Sequence, residues 1–329
     1  MSGETVLVTG GAGYVGAHAC LALAEAGYQP VVFDNLSAGH EDLVRWGPLE
    51  LGDIRDREAV AIVLDRWTPA AILHFAARAD VAESVREPEA YHHNNVLGTK
   101  TLLDAAADAG VSRLIFSSSC AVYGDPVRTP MDEDHPCAPV NPYGAGKLAV
   151  EHMLARREAA DAQLRSVSLR YFNAVGADPE ARVGERHDPE SHVVPLALRA
   201  VLRGDRAFRI FGEDYPTRDG TAERDYVHVL DLADAHVRAL RRLLDGGPSG
   251  VFNLGTGRGV TVRELVAEVE AVTGRSLAAA GAPRRPGDPA VLLADIGRAA
   301  SELGWRPRRS LAEAIDSAAR WHQRDWAGA

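Results

Sequence analysis

Tyr143 and Lys147 stand four residues apart in Tyr143-Gly-Ala-Gly-Lys147, a spacing that puts both side chains on one face if the segment is helical. A phenol with an ordinary pKa near ~10 is a poor base at neutral pH. A neighbouring ammonium stabilises the phenolate and lowers that value, so the pair could take a proton from an alcohol. A third hydroxyl, Ser119, comes from Phe116-Ser-Ser-Ser-Cys-Ala-Val-Tyr-Gly124 and could hydrogen-bond the same alcohol. Each feature has a plainer reading: a Tyr-x-x-x-Lys pair occurs often on helix surfaces, and loop serines are common.

Proton removal from an alcohol becomes oxidation when a hydride acceptor is at hand, and the N-terminus supplies a place for one. Thr9-Gly-Gly-Ala-Gly-Tyr-Val-Gly16 follows an apolar run and opens a helical pattern, with Gly10, Gly13 and Gly16 in G-x-x-G-x-x-G spacing. Such a turn lets backbone approach a pyrophosphate and points helix N-terminal N–H groups at its charge. Asp34 ends the next strand, 18 residues after Gly16, where a carboxylate accepts from ribose hydroxyls and repels a 2′-phosphate, so NAD is expected rather than NADP. Asp53-Ile54 would lie near the adenine.

These residues need a scaffold, and the first half of the chain encodes one. Short β-branched runs at 6–8, 31–33, 71–74, 113–117 and 166–170 alternate with helical patterns at 15–26, 57–67, about 89–109, and from 141–142 onward. That alternation predicts an α/β, Rossmann-like, doubly wound parallel sheet. After about Phe172 the pattern shifts to Gly-, Pro- and Asp-rich loops with shorter elements at 193–202, 230–244 and 262–272. The expected organisation is a dinucleotide-binding domain over 1–172 and a smaller α/β substrate lobe over 173–329, with the chain crossing back to the first domain.

The ordered set of Thr9–Gly16, Asp34-Asn35, Gly52-Asp-Ile54, His74-Phe-Ala-Ala77, Asn94-Asn95, Phe116–Ser119, Tyr143-x-x-x-Lys147 and Arg170-Tyr-Phe-Asn173 resembles the extended short-chain dehydrogenase/reductase superfamily. Within it, Glu83-Ser-Val85, Asp219-Gly-Thr221, Arg224-Asp-Tyr226, His228 and Arg284-Arg-Pro-Gly-Asp288 are similar to the UDP-glucose 4-epimerases, along essentially the whole chain. The resemblance implies Ser119, Tyr143 and Lys147 as catalytic residues. It implies NAD contacts at Gly10, Gly13, Tyr14, Val15, Gly16, Asp34, Asn35, Asp53, Ile54, Phe75, Ala76, Ala77, Asn94, Ser117, Tyr143, Lys147 and Tyr171. UDP-sugar contacts are implied at Ser119, Tyr143, Phe172, Asn173, His192, Val193, Arg209, Phe211, Arg224, Arg285, Asp288 and Leu292. Two departures stand out: Arg78-Ala79-Asp80 replaces a cofactor-contacting lysine of many members, and His192 stands where some relatives have asparagine.

The implied reaction removes the 4-hydroxyl proton and the C4 hydride, then returns the hydride to the other face of the keto sugar. Cys120 and Ala121 occupy positions where sugar dehydratases and decarboxylases of the superfamily place acidic residues, which favours oxidation and return over elimination. UDP-glucose and UDP-galactose are the expected substrates, with Leu292 leaving some tolerance for N-acetylated forms. UDP-glucuronate or UDP-pentose epimerisation is the alternative, and a dehydratase or a non-catalytic NAD sensor a more distant one.

The chain has 329 residues and a formal net charge of −10 without a Lys/Arg-rich run, so neither nucleic acid nor an anionic membrane is an expected partner. An anionic substrate must be met by local arginines such as Arg224 and Arg285. Cys20, Cys120 and Cys137 fit a reducing cytosol. The N-terminal segment lacks the features of a signal peptide or membrane span, so a cytoplasmic location is expected. No metal is expected, because no His/Cys/Asp group shows ligand spacing. The resemblance implies a homodimer formed through the helices near 89–109 and 141–159.

Overall fold

The protein is described here by a computed structural model covering residues 3–204, 207–285 and 287–327. Its strands, in chain order, are β1 (Thr5–Thr9), β2 (Gln29–Asp34), β3 (Leu49–Leu51), β4 (Ala71–His74), β5 (Arg113–Ser119), β6 (Arg165–Tyr171), β7 (Asn173–Val175), β8 (Phe208–Phe211), β9 (Glu223–His228), β10 (Gly250–Leu254), β11 (Gly259–Thr261), β12 (Ala279–Ala282) and β13 (Val291–Leu292). Seven form one parallel sheet in the order β10-β6-β5-β4-β1-β2-β3. The inner order 3-2-1-4-5-6 is that of a doubly wound dinucleotide fold, whose strand order reverses between β1 and β4.

Alternation along β1 shows why both faces are covered. Val6 and Val8 join Leu73, Ile115, Val167 and Leu169 beneath the helices Tyr14–Glu25 and Val229–Leu244. Leu7 faces the other way, with Val31, Phe33, Ile72, Leu114 and Phe116, toward the helices Arg57–Trp67, Gly98–Asp108 and Pro142–Ala160. A sheet buried on both faces reads as continuous apolar runs, which is how β1, β2 and β4 appear in the sequence.

Two returns of the chain bind the second half to this sheet: β10 pairs with β6, and the helix Val229–Leu244 packs on the helix Tyr14–Glu25. The remaining elements build a smaller layer. There β9 pairs with β7, β11 and β13, β8 pairs with β12, and the helices Val193–Arg203, Val262–Thr273 and Leu311–Ala327 enclose an apolar cluster around Leu198, Tyr226 and Ile315.

Three elements differ from the sequence reading. The strand expected to end at 117 runs to Ser119, so the serine is the last residue of β5. The helical pattern near 89–109 contains a π-helical turn, His92–Leu97, between the helices Pro88–Tyr91 and Gly98–Asp108, a local widening that propensity does not reveal. The short Gly250–Leu254 run joins the large sheet, and only pairing with β6 makes it a strand. No helix among the described residues is long and apolar enough to cross a membrane.

Candidate active site

The Gly-rich turn lies at the carboxyl end of β1, beside the end of β4. Gly10 adopts φ +74°, and a Cβ there would sit 2.5 Å from the Ala76 nitrogen; at Gly16 it would sit 2.2 Å from the Gly10 carbonyl oxygen. Both glycines are required by the protein itself. Gly13 is different: a Cβ there would meet nothing nearer than the Gly10 oxygen at 3.4 Å. It is also the N-cap of the helix Tyr14–Glu25, with no side-chain cap and no acidic residue in the first turn. The cap that would ordinarily satisfy the first N–H groups is absent, and the turn is open toward an anion. Phosphates of a dinucleotide fit that cradle.

Asp34 closes its far side. Its carboxylate accepts N–H groups from Ala12 at 3.0 Å and Leu36 at 2.9 Å, which fixes its orientation at the end of β2. Burial raises its pKa, and the backbone donors work against that rise. Phe75 and Ala76 leave β4 with their N–H groups on the Thr9 carbonyl, while the Phe75 ring lies 4.7 Å from that of His236.

Several expected cofactor contacts have other commitments. The Tyr14 hydroxyl donates to the Gly176 carbonyl at 2.6 Å, so its side chain is engaged within the protein. Asp53 is held by Arg55 through bonds of 2.8 and 2.6 Å and accepts from Asn35 at 2.8 Å; the Arg55 guanidinium keeps it well below the usual carboxylate range. Ile54 is buried against the core. Asn94 donates to Asn95, and Asn95, unassigned from sequence, clamps the Arg78 N–H and C=O at 2.9 Å each. Arg78 itself pairs with Glu83, so its side chain does not mimic the absent lysine.

The proton-handling group is compact. Asn141 caps the helix Pro142–Ala160 by accepting the Gly144 N–H, and Pro142 occupies its first position, so Tyr143 emerges in the opening turn. The Lys147 Nζ donates to the Ser117 carbonyl at 2.6 Å and lies 5.7 Å from the Tyr143 ring centroid and 4.9 Å from that of Phe116. Burial lowers the lysine to about 7, opposed by Glu151. Burial likewise pushes Tyr143 up to about 12, while a hydrogen bond from the Ser119 hydroxyl pulls it down. The structure thus brings Ser119, Tyr143 and Lys147 together at the end of β5. Tyr171 joins them: burial raises it, Ser117 draws it down, and its hydroxyl bonds to His236.

Behind this group is a buried network absent from the sequence reading. Arg170 forks onto Glu151 at 3.0 and 2.6 Å, Ser118 donates to Glu151 at 2.5 Å, and Arg170 also donates to the Tyr123 hydroxyl at 2.9 Å. Glu151 lies one helical turn beyond Lys147, the only local signal that it could belong here.

On the other side stand the expected substrate residues. Phe172 and Leu292 pack with Val122 and Tyr123, beside the loop that follows Ser119. The Asn173 amide donates to the Asp225 carbonyl at 2.9 Å. Arg224 lies close enough to Cys120 to lower that thiol's burial-raised pKa, and it pairs with Asp288. Arg285 stacks on the Phe211 ring at 4.0 Å and forms no ion pair among the described residues; Arg209, on the same strand as Phe211, is exposed. Val193 opens the helix Val193–Arg203, and His192 before it turns its Nδ1 to Glu185. The expectation of no metal-ligand grouping needs revision: Glu185, His187, Glu190 and His192 place one ligand atom each within 4.8 Å of one another. The spacing Glu-x-His-x-x-Glu-x-His carries that signal in the sequence.

Residues 6–255 match the NAD dependent epimerase/dehydratase family. The UDP-glucose 4-epimerase of Rhizobium leguminosarum bv. trifolii is 55% identical over 322 residues, covering 98% of either chain. The crystal structure of the Brucella ovis UDP-glucose 4-epimerase in complex with NAD superposes with a TM-score of 0.94 at 48% identity, covering 96% of this chain and 98% of that one. The Stenotrophomonas maltophila enzyme, crystallised with NAD and formylated UDP-arabinopyranose, superposes with a TM-score of 0.97 at 40% identity, covering 99% and 100%. The chain therefore belongs to the NAD dependent epimerase/dehydratase family and, within it, to the UDP-glucose 4-epimerases.

Proposed function

We propose that this chain interconverts UDP-glucose and UDP-galactose, with Tyr143, Ser119 and Lys147 handling the proton of the sugar 4-hydroxyl. The observation that carries the reading is the convergence of those three side chains at the carboxyl end of β5, next to an uncapped Gly-rich cradle. Bound NAD supplies the hydride acceptor and donor, and its positive ring adds to the charge that favours phenolate. Ser119 bridges the Tyr143 oxygen and the sugar hydroxyl, so the proton passes along a short path. Lys147, anchored on the Ser117 carbonyl, keeps its ammonium beside the phenol. Glu151, braced by Arg170 and Ser118, opposes the burial that would strip the lysine of its proton.

Arg224 and Arg285 are proposed to face the diphosphate, Phe172 and Asn173 the sugar, and the His192-Val193 lead-in the nucleotide. Arg285 has its charge available, while Arg224 must share itself with Asp288. Leu292, next to Phe172, bounds the sugar pocket with less bulk than an aromatic residue, which supports tolerance of N-acetylated UDP-hexosamines.

A cytoplasmic homodimer completes the reading. Its support is a groove along the helix Pro142–Ala160 lined by Ala149, His152, Met153 and Arg156, with the large apolar Leu97 43% exposed at the start of the neighbouring Gly98–Asp108 helix. Light scattering is expected to give twice the chain mass of 35.2 kDa, and a monomer would refute the dimer. For the activity, purified protein incubated with UDP-galactose and no added NAD is expected to form UDP-glucose. Conversion only of a UDP-uronate or UDP-pentose would keep the chemistry and replace the substrate.

A further inference from the structure

The segment Gly184–His192 lies outside the proton-handling group, on the approach to the helix Val193–Arg203. Its eight-residue Glu185-x-His-x-x-Glu-x-His192 pattern folds back on itself. The Nδ1 atoms of His187 and His192 both face Oε1 of Glu185, the former at 3.1 Å, and Oε1 of Glu190 lies 3.8 Å from the His187 Nδ1. We propose that Glu185, His187, Glu190 and His192 form a binding site for one divalent transition-metal ion, of which zinc is the best match. Two imidazoles and two carboxylates are the donor set such an ion takes, and bonds of ~2.0–2.1 Å would place tetrahedral ligand atoms roughly 3.3 Å apart. The present separations are all within 4.8 Å.

The surroundings are built to hold the donors in place. Glu190 accepts the N–H groups of Ser191 and His192 at 2.8 Å each through the same Oε1. The Trp321 indole donates to the Glu185 carbonyl at 2.8 Å, and Gly184 packs so tightly on Trp321 that a Cβ there would sit 2.2 Å from the ring. Glu185 is buried, whereas the side chains of His187 and His192 are 33% and 52% exposed, which leaves an entry path from solvent.

A second, independent observation points to the same place. His322, on the last helix, is 4% exposed, and neither of its ring nitrogens has a hydrogen-bond partner among the described residues. The charged groups that act on it are Glu185, Glu190, Asp325 and His187. A buried imidazole without a partner is rare, and a water held on the proposed ion would offer one. An ion there would pin Gly184–His192 upon itself just ahead of the Val193–Arg203 helix, fixing the segment that carries His192, one of the proposed substrate contacts.

The test uses untagged full-length protein, freed of metal with EDTA and then titrated with Zn2+, and in parallel with Co2+ as a spectroscopic probe. The expected result is one ion per chain, a rise in melting temperature on loading, and visible cobalt absorption of a four- or five-coordinate N/O site. His187→Ala and the near-isosteric Glu190→Gln should each weaken binding at least about tenfold while retaining bound NAD and far-ultraviolet dichroism. Asp65→Asn, on an exposed carboxylate of the helix Arg57–Trp67, should bind as the parent does. Failure of the parent to bind either ion would overturn the proposal. So would a stoichiometry and affinity left unchanged by Glu190→Gln, the variant that keeps the segment's shape if His187→Ala does not fold.

Discussion

Tyr143 and Lys147 leave one helix a turn apart, and burial pushes each toward its neutral form, the phenol up to about 12 and the ammonium down to about 7. Near neutral pH the lysine is therefore poised between forms, while the phenol gives up its proton only when positive charge beside it and the Ser119 hydrogen bond bring its pKa down. Replacing Tyr143 by Phe removes that proton transfer and nothing else of size. It is expected to lower kcat by at least about a hundredfold while NAD stays bound; turnover near that of the parent would remove Tyr143 from the proposed mechanism. The Tyr-x-x-x-Lys pair was legible in the sequence because its geometry is local. The Glu151–Arg170–Ser118 network was not, since it forms only through the β5–β6 register that sets Ser118 opposite Arg170. His236 reaches Tyr171 across 65 residues for a similar reason.

Among the elements, the β1 turn separates what the fold needs from what the cofactor needs. Gly10 and Gly16 are fixed by contacts within the protein, whereas Gly13 is constrained only by what approaches the helix N-terminus. Gly13→Ala should therefore leave the dichroism and melting temperature of NAD-stripped protein essentially unchanged and reduce the NAD that co-purifies. Equal NAD content would mean that the ligand does not pass that close. The alternating pattern made the sheet readable from 6 to 170, because strands buried on both faces advertise themselves as apolar runs. The Gly250–Leu254 strand and the π-helical turn at His92–Leu97 stayed hidden, since one depends on an edge that only the folded sheet provides and the other on packing against its neighbours. The ligand-like grouping at 185–192 was visible in spacing, yet its meaning depends on Trp321 and His322 arriving from the far end of the chain.

Across the whole molecule, burial keeps a set of histidines uncharged. It lowers His18 and His236 to about 4 and His74 and His228 to about 3. In the unfolded chain the same groups titrate near ~6.5. Between that value and the folded values the unfolded state binds more protons, so stability rises with pH across the window and is lost as pH falls below ~6.5. Asp34, Glu133 and Asp225, raised by burial, act in the opposite sense above the ordinary carboxylate value. The melting temperature should therefore drop steadily from pH 6.5 to pH 5, as expected for up to about one proton per buried histidine, and a flat profile would mean these imidazoles are not held neutral. Arg224 and Arg285, the proposed diphosphate contacts, come from separate segments of the smaller layer, and Arg224 reaches the Cys120 end of the large sheet. The central claim is that hydride leaves and re-enters the same sugar carbon without exchange with solvent. It is tested most directly with UDP-galactose deuterated at C4, converted in ordinary water with no added NAD and analysed by mass spectrometry. UDP-glucose that retains the deuterium at C4 is the predicted product; UDP-glucose with C4 hydrogen drawn from water would contradict the account.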